Sequence, residues 1–179
     1  MLLLLKQAFI EEGRMGTRPQ TAQWLEQVMA IESSECLTHY EGHGVQFDYP
    51  GFWELTEEVD GEDVLLTVSA DGSCFWALRI LRECPRAEEV VTSCVEAFEE
   101  EYDDTEVQIA KGTLAMMPAV CRELQFSCFE LLNCVVLSSV RASDMSLLAW
   151  WQGTDHELTD VRSVFEQISQ SVRILSLHG

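Results

Sequence analysis

Val45-Gln-Phe-Asp-Tyr-Pro-Gly-Phe-Trp53 decides the fold of this 179-residue chain. Val45 to Tyr49 alternates apolar and polar residues as a strand does, Pro50-Gly51 turns it, and a second strand is expected from about Trp53 to Val59. Asp60-Gly61-Glu62-Asp63 supplies turn chemistry before Val64 to Ser69, and Asp71-Gly72 does the same before Phe75 to Leu81. Upstream, residues 36–44 hold His39, His43 and two glycines and read as a loop. Residues 19–31 read as a helix, with Pro19 at its first position and Trp24, Val28 and Ile31 on one face.

Downstream of Pro85 the period changes from two to 3.6. Val91, Val95, Phe98 and Tyr102 line one side of a helix over 86–102, and Glu88 and Glu89 sit in its first turn, where the helix dipole favours acid. Val107 to Ala110 returns to strand, and a longer β region runs from about Leu114 to Phe129. It is expected to turn near Glu130 to Asn133 and to come back as Cys134 to Val140. Ser146 to Trp151 is the last clear strand. Thr154-Asp-His-Glu157 is a capping-box pattern, and Leu158, Val161, Phe165, Ile168 and Val172 form the apolar stripe of a helix over 155–171. Strand runs joined by hairpin turns and broken by few helices define an α+β domain: six or seven mostly antiparallel strands in one sheet, covered by two one-sided helices.

That order of parts resembles the superfamily typified by the photosystem protein PsbP and the Ran-binding protein Mog, which includes many small bacterial proteins of unknown function. The residues that carry the resemblance are Phe47-Asp-Tyr-Pro-Gly-Phe-Trp53 at the first hairpin, Met117-Pro-Ala-Val120 opening a long strand, and Phe165-Glu-Gln-Ile-Ser-Gln-Ser-Val-Arg173 as the closing helix, over roughly residues 44 to 175. The resemblance implies an αβα sandwich and a non-enzymatic adaptor or accessory role, and it carries over no site residue. Residues 1–43 depart from the pattern and are expected to form a helical extension packed on a domain spanning 44–179.

Composition narrows the function classes. The net charge of −20, from 31 acidic and 11 basic residues, disfavours nucleic acid and anionic membranes and is compatible with basic partners. Seven cysteines at irregular spacing, several inside apolar runs, read as reduced thiols of a cytoplasmic protein, with a Cys128–Cys134 bridge across a hairpin as a lesser alternative. The leucine run at residues 2–5 is too short to span a bilayer, no cation precedes it, and Glu11 and Glu12 follow, so no secretory signal is expected; Met15, after Gly13-Arg14, is an alternative start.

Chemical motifs are sparse. Cys36, His39 and His43 place a thiol and two imidazoles close together, but zinc needs three or four ligands and no fourth stands at a recognisable spacing, so neither metal nor any other cofactor is expected. No nucleophile elbow, phosphate loop or HExxH pattern occurs, and no catalytic residue is assigned. The competing reading is a small-molecule-binding protein or hydrolytic enzyme with a Cys-His or carboxylate pair, its pocket lined by Trp53, Trp76 and one of Trp150 and Trp151. Two surface features favour a protein partner instead. Glu99, Glu100, Glu101, Asp103 and Asp104 crowd a helix end where the dipole disfavours acid, and Phe129, Leu131 and Leu132 make apolar a hairpin tip that would ordinarily be polar. The expected partner therefore has a basic or an apolar surface. The helix over 19–31 is expected either to cover the tip or to mediate a homodimer across a two-fold axis.

Overall fold

The structure, a computed structural model, describes residues 37–69 and 73–175. Strands β1 (Leu37–Gly42) and β2 (Val45–Pro50) pair with β10 (Arg173–Ile174) in a small sheet of order β1-β2-β10. The main sheet joins β3 (Glu54–Asp60), β4 (Asp63–Ser69), β5 (Phe75–Leu81), β6 (Glu106–Leu114), β7 (Met117–Cys128), β8 (Leu131–Arg141) and β9 (Ser146–Thr154) in the order β3-β4-β5-β9-β8-β7-β6, antiparallel at every joint. Helices α1 (Ala87–Glu101) and α2 (Asp155–Ser171) complete the α+β sandwich anticipated from the sequence.

The two helices lie on opposite faces of the main sheet, and their apolar stripes define two cores. Val90, Val91, Cys94 and Phe98 of α1 pack with Phe75, Ala77, Leu124, Phe126, Leu137, Leu148 and Trp150. Leu158, Val161, Val164, Phe165 and Ile168 of α2, together with Val45 and Phe47 of the small sheet, pack with Trp53, Trp76, Leu78, Ile80, Leu147 and Trp151. Central strands β5 and β9 are buried on both faces, which is why Phe75 to Leu81 and Ser146 to Trp151 read as nearly continuous apolar runs rather than as alternation. Trp150 and Trp151 point to opposite faces, as expected, and each ends beneath a helix.

The caps explain where the helices begin and end. Thr154 Oγ1 accepts from the Glu157 backbone N–H at 3.4 Å while the Glu157 carboxylate accepts from the Thr154 backbone N–H at 3.3 Å, the reciprocal pair read from the sequence. At the end of α1 the Thr105 hydroxyl donates to the carbonyls of Tyr102 and Phe98 at 2.8 and 3.4 Å. Those carbonyls are thus satisfied without a cation; the last turn of α1 holds no basic residue.

Four expectations need correction. Pro50-Gly51 does not close a hairpin: β2 lies in the small sheet and β3 on the edge of the main sheet, so the two strands it joins do not pair. Residues 37–42 are a strand, not part of a loop: His43 and Gly44, with φ of 49° and 78°, form a two-residue turn between the paired Gly42 and Val45. The strand expected at 107–110 runs from Glu106 to Leu114, closed by Ala115-Met116. The turn placed at 130–133 is Phe129-Glu130, and β8 begins at Leu131. Cys128 therefore pairs with Leu131 and Cys134 with Gln125, which separates the two thiols onto opposite faces. Neither they nor Cys84, Cys94 and Cys121 form a disulfide.

The expected boundary at residue 43 falls within the turn of the first hairpin. The helix over 19–31, with its proposed cover of the hairpin tip and its two-fold pairing, lies outside the described residues, as do Cys36, the alternative start at Met15 and the Asp71-Gly72 turn.

Candidate functional site

The acidic helix end and the apolar hairpin tip, separate in the sequence, meet at one end of the main sheet. Glu99, Glu100 and Glu101 form the last turn of α1, and Asp103 and Asp104 lie in its connection to β6; all five are exposed. The β6–β7 ladder pairs Glu106 with Gln125, and two residues further out both carboxylate oxygens of Asp104 accept from the Ser127 backbone N–H at 3.2 Å. Ser127 is the ladder partner of Leu132, and Cys128 that of Leu131. The acidic segment is thereby fastened to the base of the tip.

Beneath that junction the aromatic rings are closely packed. Tyr102 stacks on Phe126 with centroids 4.1 Å apart, and Phe98 lies 5.5 Å from Phe126, fixing the helix end against β7. Hydrogen bonds from Ser127, through its side chain and its backbone N–H, hold the Asp104 carboxyl below its ordinary value of 3.8. Burial pushes the Tyr102 phenol well above its ordinary value.

Above the junction the chain is apolar and open. Phe129 is 93% exposed, Leu131 56% and Leu132 44%. Phe129 and Glu130 form a two-residue turn with φ of 50° and 64°, both in the left-handed region that favours glycine or asparagine. The tip therefore departs from two rules at once, exposing an aromatic ring and holding two side-chain-bearing residues where a Cβ costs energy. No Lys, Arg or His occurs over residues 87–110 or 123–140, so Glu130 and Glu106 join the five acids in rimming the tip with negative charge.

The other candidates are not brought together. His39 Nδ1 lies 2.7 Å from Asp48 Oδ1, and His43 Nε2 lies 2.8 Å from Glu57 Oε1, so the two imidazoles engage different carboxylates. Among the described residues no group of three or more His, Cys, Asp or Glu is arranged to hold a metal ion. Trp53, Trp76 and Trp151, offered as a groove, are core: Trp76 donates to the Ser169 hydroxyl at 2.8 Å, and Phe165 packs against both Trp53 and Trp151.

Two of the buried thiols, Cys94 and Cys134, are disfavoured as thiolates. Burial, reinforced by the Glu123 carboxylate, pushes the Cys134 thiol up to about 12, and burial does the same to Cys94 against the opposing charge of Arg79. No helix among the described residues is long and apolar enough to cross a membrane.

Comparison with solved structures identifies the fold. The chain has the PsbP/Mog-like fold: it superposes on cyanobacterial PsbP (CyanoP) of Synechocystis sp. PCC 6803 with a TM-score of 0.54 at 12% identity, covering 90% of this chain and 99% of that one. On the Ran-binding protein Mog1p of Saccharomyces cerevisiae the TM-score is 0.53 at 9% identity, covering 78% and 95%. A Bacteroides thetaiotaomicron protein gives 0.53 at 9% identity over 80% of this chain, which spans only 49% of that protein's length. No family model and no curated relative matches the sequence. At these identities the likeness is one of fold, and it assigns no residue a role.

Proposed function

We propose that this protein acts by binding another protein, through the Phe129-Glu130-Leu131-Leu132 tip and the acidic rim of Glu99, Glu100, Glu101, Asp103 and Asp104. The partner segment is apolar at its centre and basic on either side. One observation carries the reading: the Asp104–Ser127 bond makes a single surface of the two features.

An exposed Phe and two Leu side chains supply the anchor, since burying such side chains contributes about 1.5–3 kcal/mol each. The carboxylates supply orientation, rejection of acidic competitors and a faster encounter rather than most of the affinity. Mog1p, which shares the fold, is itself described as Ran-binding, so the architecture accommodates a protein partner. The buried single thiols support a reducing, cytoplasmic setting.

The test is affinity capture from an extract of the source organism with three baits: the natural chain, Phe129→Ser/Leu131→Ser/Leu132→Ser, and Glu99→Gln/Glu100→Gln/Asp103→Gln. A stoichiometric partner should be lost with the first variant. With the second it should be weakened at low salt and little changed at high salt, where exposed charges are screened. A partner retained equally by all three baits, or none retained by the natural chain, overturns the proposal.

A further inference from the structure

Among the described residues the main sheet has two edges, and they are built differently. Edge strand β3 carries Glu54, Glu57, Glu58 and Asp60 on seven residues. Edge strand β6 is longer, at nine residues, and carries one acid, Glu106, and one base, Lys111. Its Ile109 is 82% exposed, although Val107, two residues earlier on the same face, packs on the α1 core. A long edge with few charges and an exposed β-branched residue is the kind of strand that pairs with another chain.

We propose that β6 pairs antiparallel with β6 of a second copy of this chain, joining two seven-stranded sheets about a two-fold axis at Ile109. Charge selects this edge and this occupant. Where each sheet face continues across the joint, residue i meets residue j of the same parity. For β3, registers centred on residues 56, 57 or 58 all set carboxylates face to face: Glu54 on Glu58, Glu57 on itself, or Glu58 on itself. For β6, registers centred on 108, 109 or 110 bring no like charges together.

Centring on Ile109 sets that side chain against its own counterpart and Val107 against Lys111 of the second copy, burying on each side an isoleucine that is otherwise in water. The two hairpin tips point to opposite ends of the joined sheet, so the dimer presents two copies of the proposed docking surface and does not depend on it. A seven-pair ladder is a small interface, below about 1,200 Å² in total, and two chains of net charge −20 repel, so the dimer is weak and strengthens with salt.

The test is sedimentation of the full chain over a concentration series, at low salt and at about 0.5 M salt, where the Debye length falls to a few ångström. The expected result is reversible association from 20.3 kDa to twice that mass, stronger at high salt. Ile109→Asp, which places two carboxylates at the axis, should keep the 20.3 kDa mass at every concentration with an unchanged melting curve. Slowed amide exchange confined to β6 as concentration rises would locate the joint without a variant. A natural chain that stays monomeric at high salt overturns the proposal, as does a dimer that survives Ile109→Asp.

Discussion

Replacing Phe129 by Asn and Glu130 by Gly should stabilise the protein while removing its proposed contact site. Both residues hold positive φ in a two-residue turn between the paired Cys128 and Leu131, the geometry for which Asn-Gly is the preferred sequence. A left-handed conformation costs an ordinary L-residue roughly 1–2 kcal/mol, less for Asn and almost nothing for Gly. Set against this relief is the greater flexibility of Gly in the unfolded chain, roughly 0.5–1 kcal/mol. The ring contributes little in return: with 93% of Phe129 exposed, under a tenth of the 1.5–3 kcal/mol of full burial is at stake, about 0.2 kcal/mol. The net expectation is a gain of about 1–2 kcal/mol, or roughly 2–8 °C in Tm for a chain of this size. Urea unfolding followed by tryptophan fluorescence measures it, and an unchanged m-value would show that the surface exposed on unfolding is the same. A loss of stability of 1 kcal/mol or more would refute the reasoning, because it would mean that Phe129 is buried against another part of the chain and is not available to a partner.

Gly153→Ala should cost about 1–3 kcal/mol, since the new Cβ would overlap the Cys74 sulfur and meet Leu158 at 3.1 Å in the α2-side core; adding Cys74→Ala should recover part of that loss in a denaturation double-mutant cycle, and strict additivity would refute the overlap. Burial works against the Glu157 carboxylate, but hydrogen bonds from Thr154 and Ser73 outweigh it and hold the group below its ordinary value of 4.5. A depressed folded pKa contributes stability that is present above the unfolded value and lost as pH falls through the folded one. Glu157→Gln should therefore cost about 1 kcal/mol near neutrality, the scale of a helix cap, and progressively less as pH falls below 4.5; a cost independent of pH would refute the assignment. Cys94 and Cys134, each pushed up to about 12, should resist alkylation at pH 8 in the folded protein and react on unfolding, which mass mapping of a timed iodoacetamide reaction would show.

The helices and the central strands are legible in the sequence because their burial is one-sided or complete. The stripe from Leu158 to Val172 and the run from Ser146 to Trp151 admit few other readings. The junction of tip and rim was not legible, and a single cause accounts for it. Once the β6–β7 turn is placed at Ala115-Met116, the ladder follows by counting: Leu114 pairs with Met117, Glu106 with Gln125, and two residues further out Asp104 reaches Ser127. That turn carries φ of 51° and 64° on residues with none of the Gly, Asn or Asp chemistry that marks a hairpin, so the sequence reading breaks the chain at 111–113 instead and runs the next β region straight through 115–116. Phe129-Glu130 escapes for the same reason, its turn being displaced toward Asn133, whose amide instead donates to the Leu131 carbonyl within β8. His43-Gly44 escapes differently, because a strand flanked by histidine and glycine looks like a loop. Turns of this kind are set by the register that the two cores impose on the flanking strands rather than by their own residues. The proposed site is therefore specified by packing of Leu124, Phe126 and Val135 in the α1-side core, beneath the residues that would make the contact and not by those residues themselves.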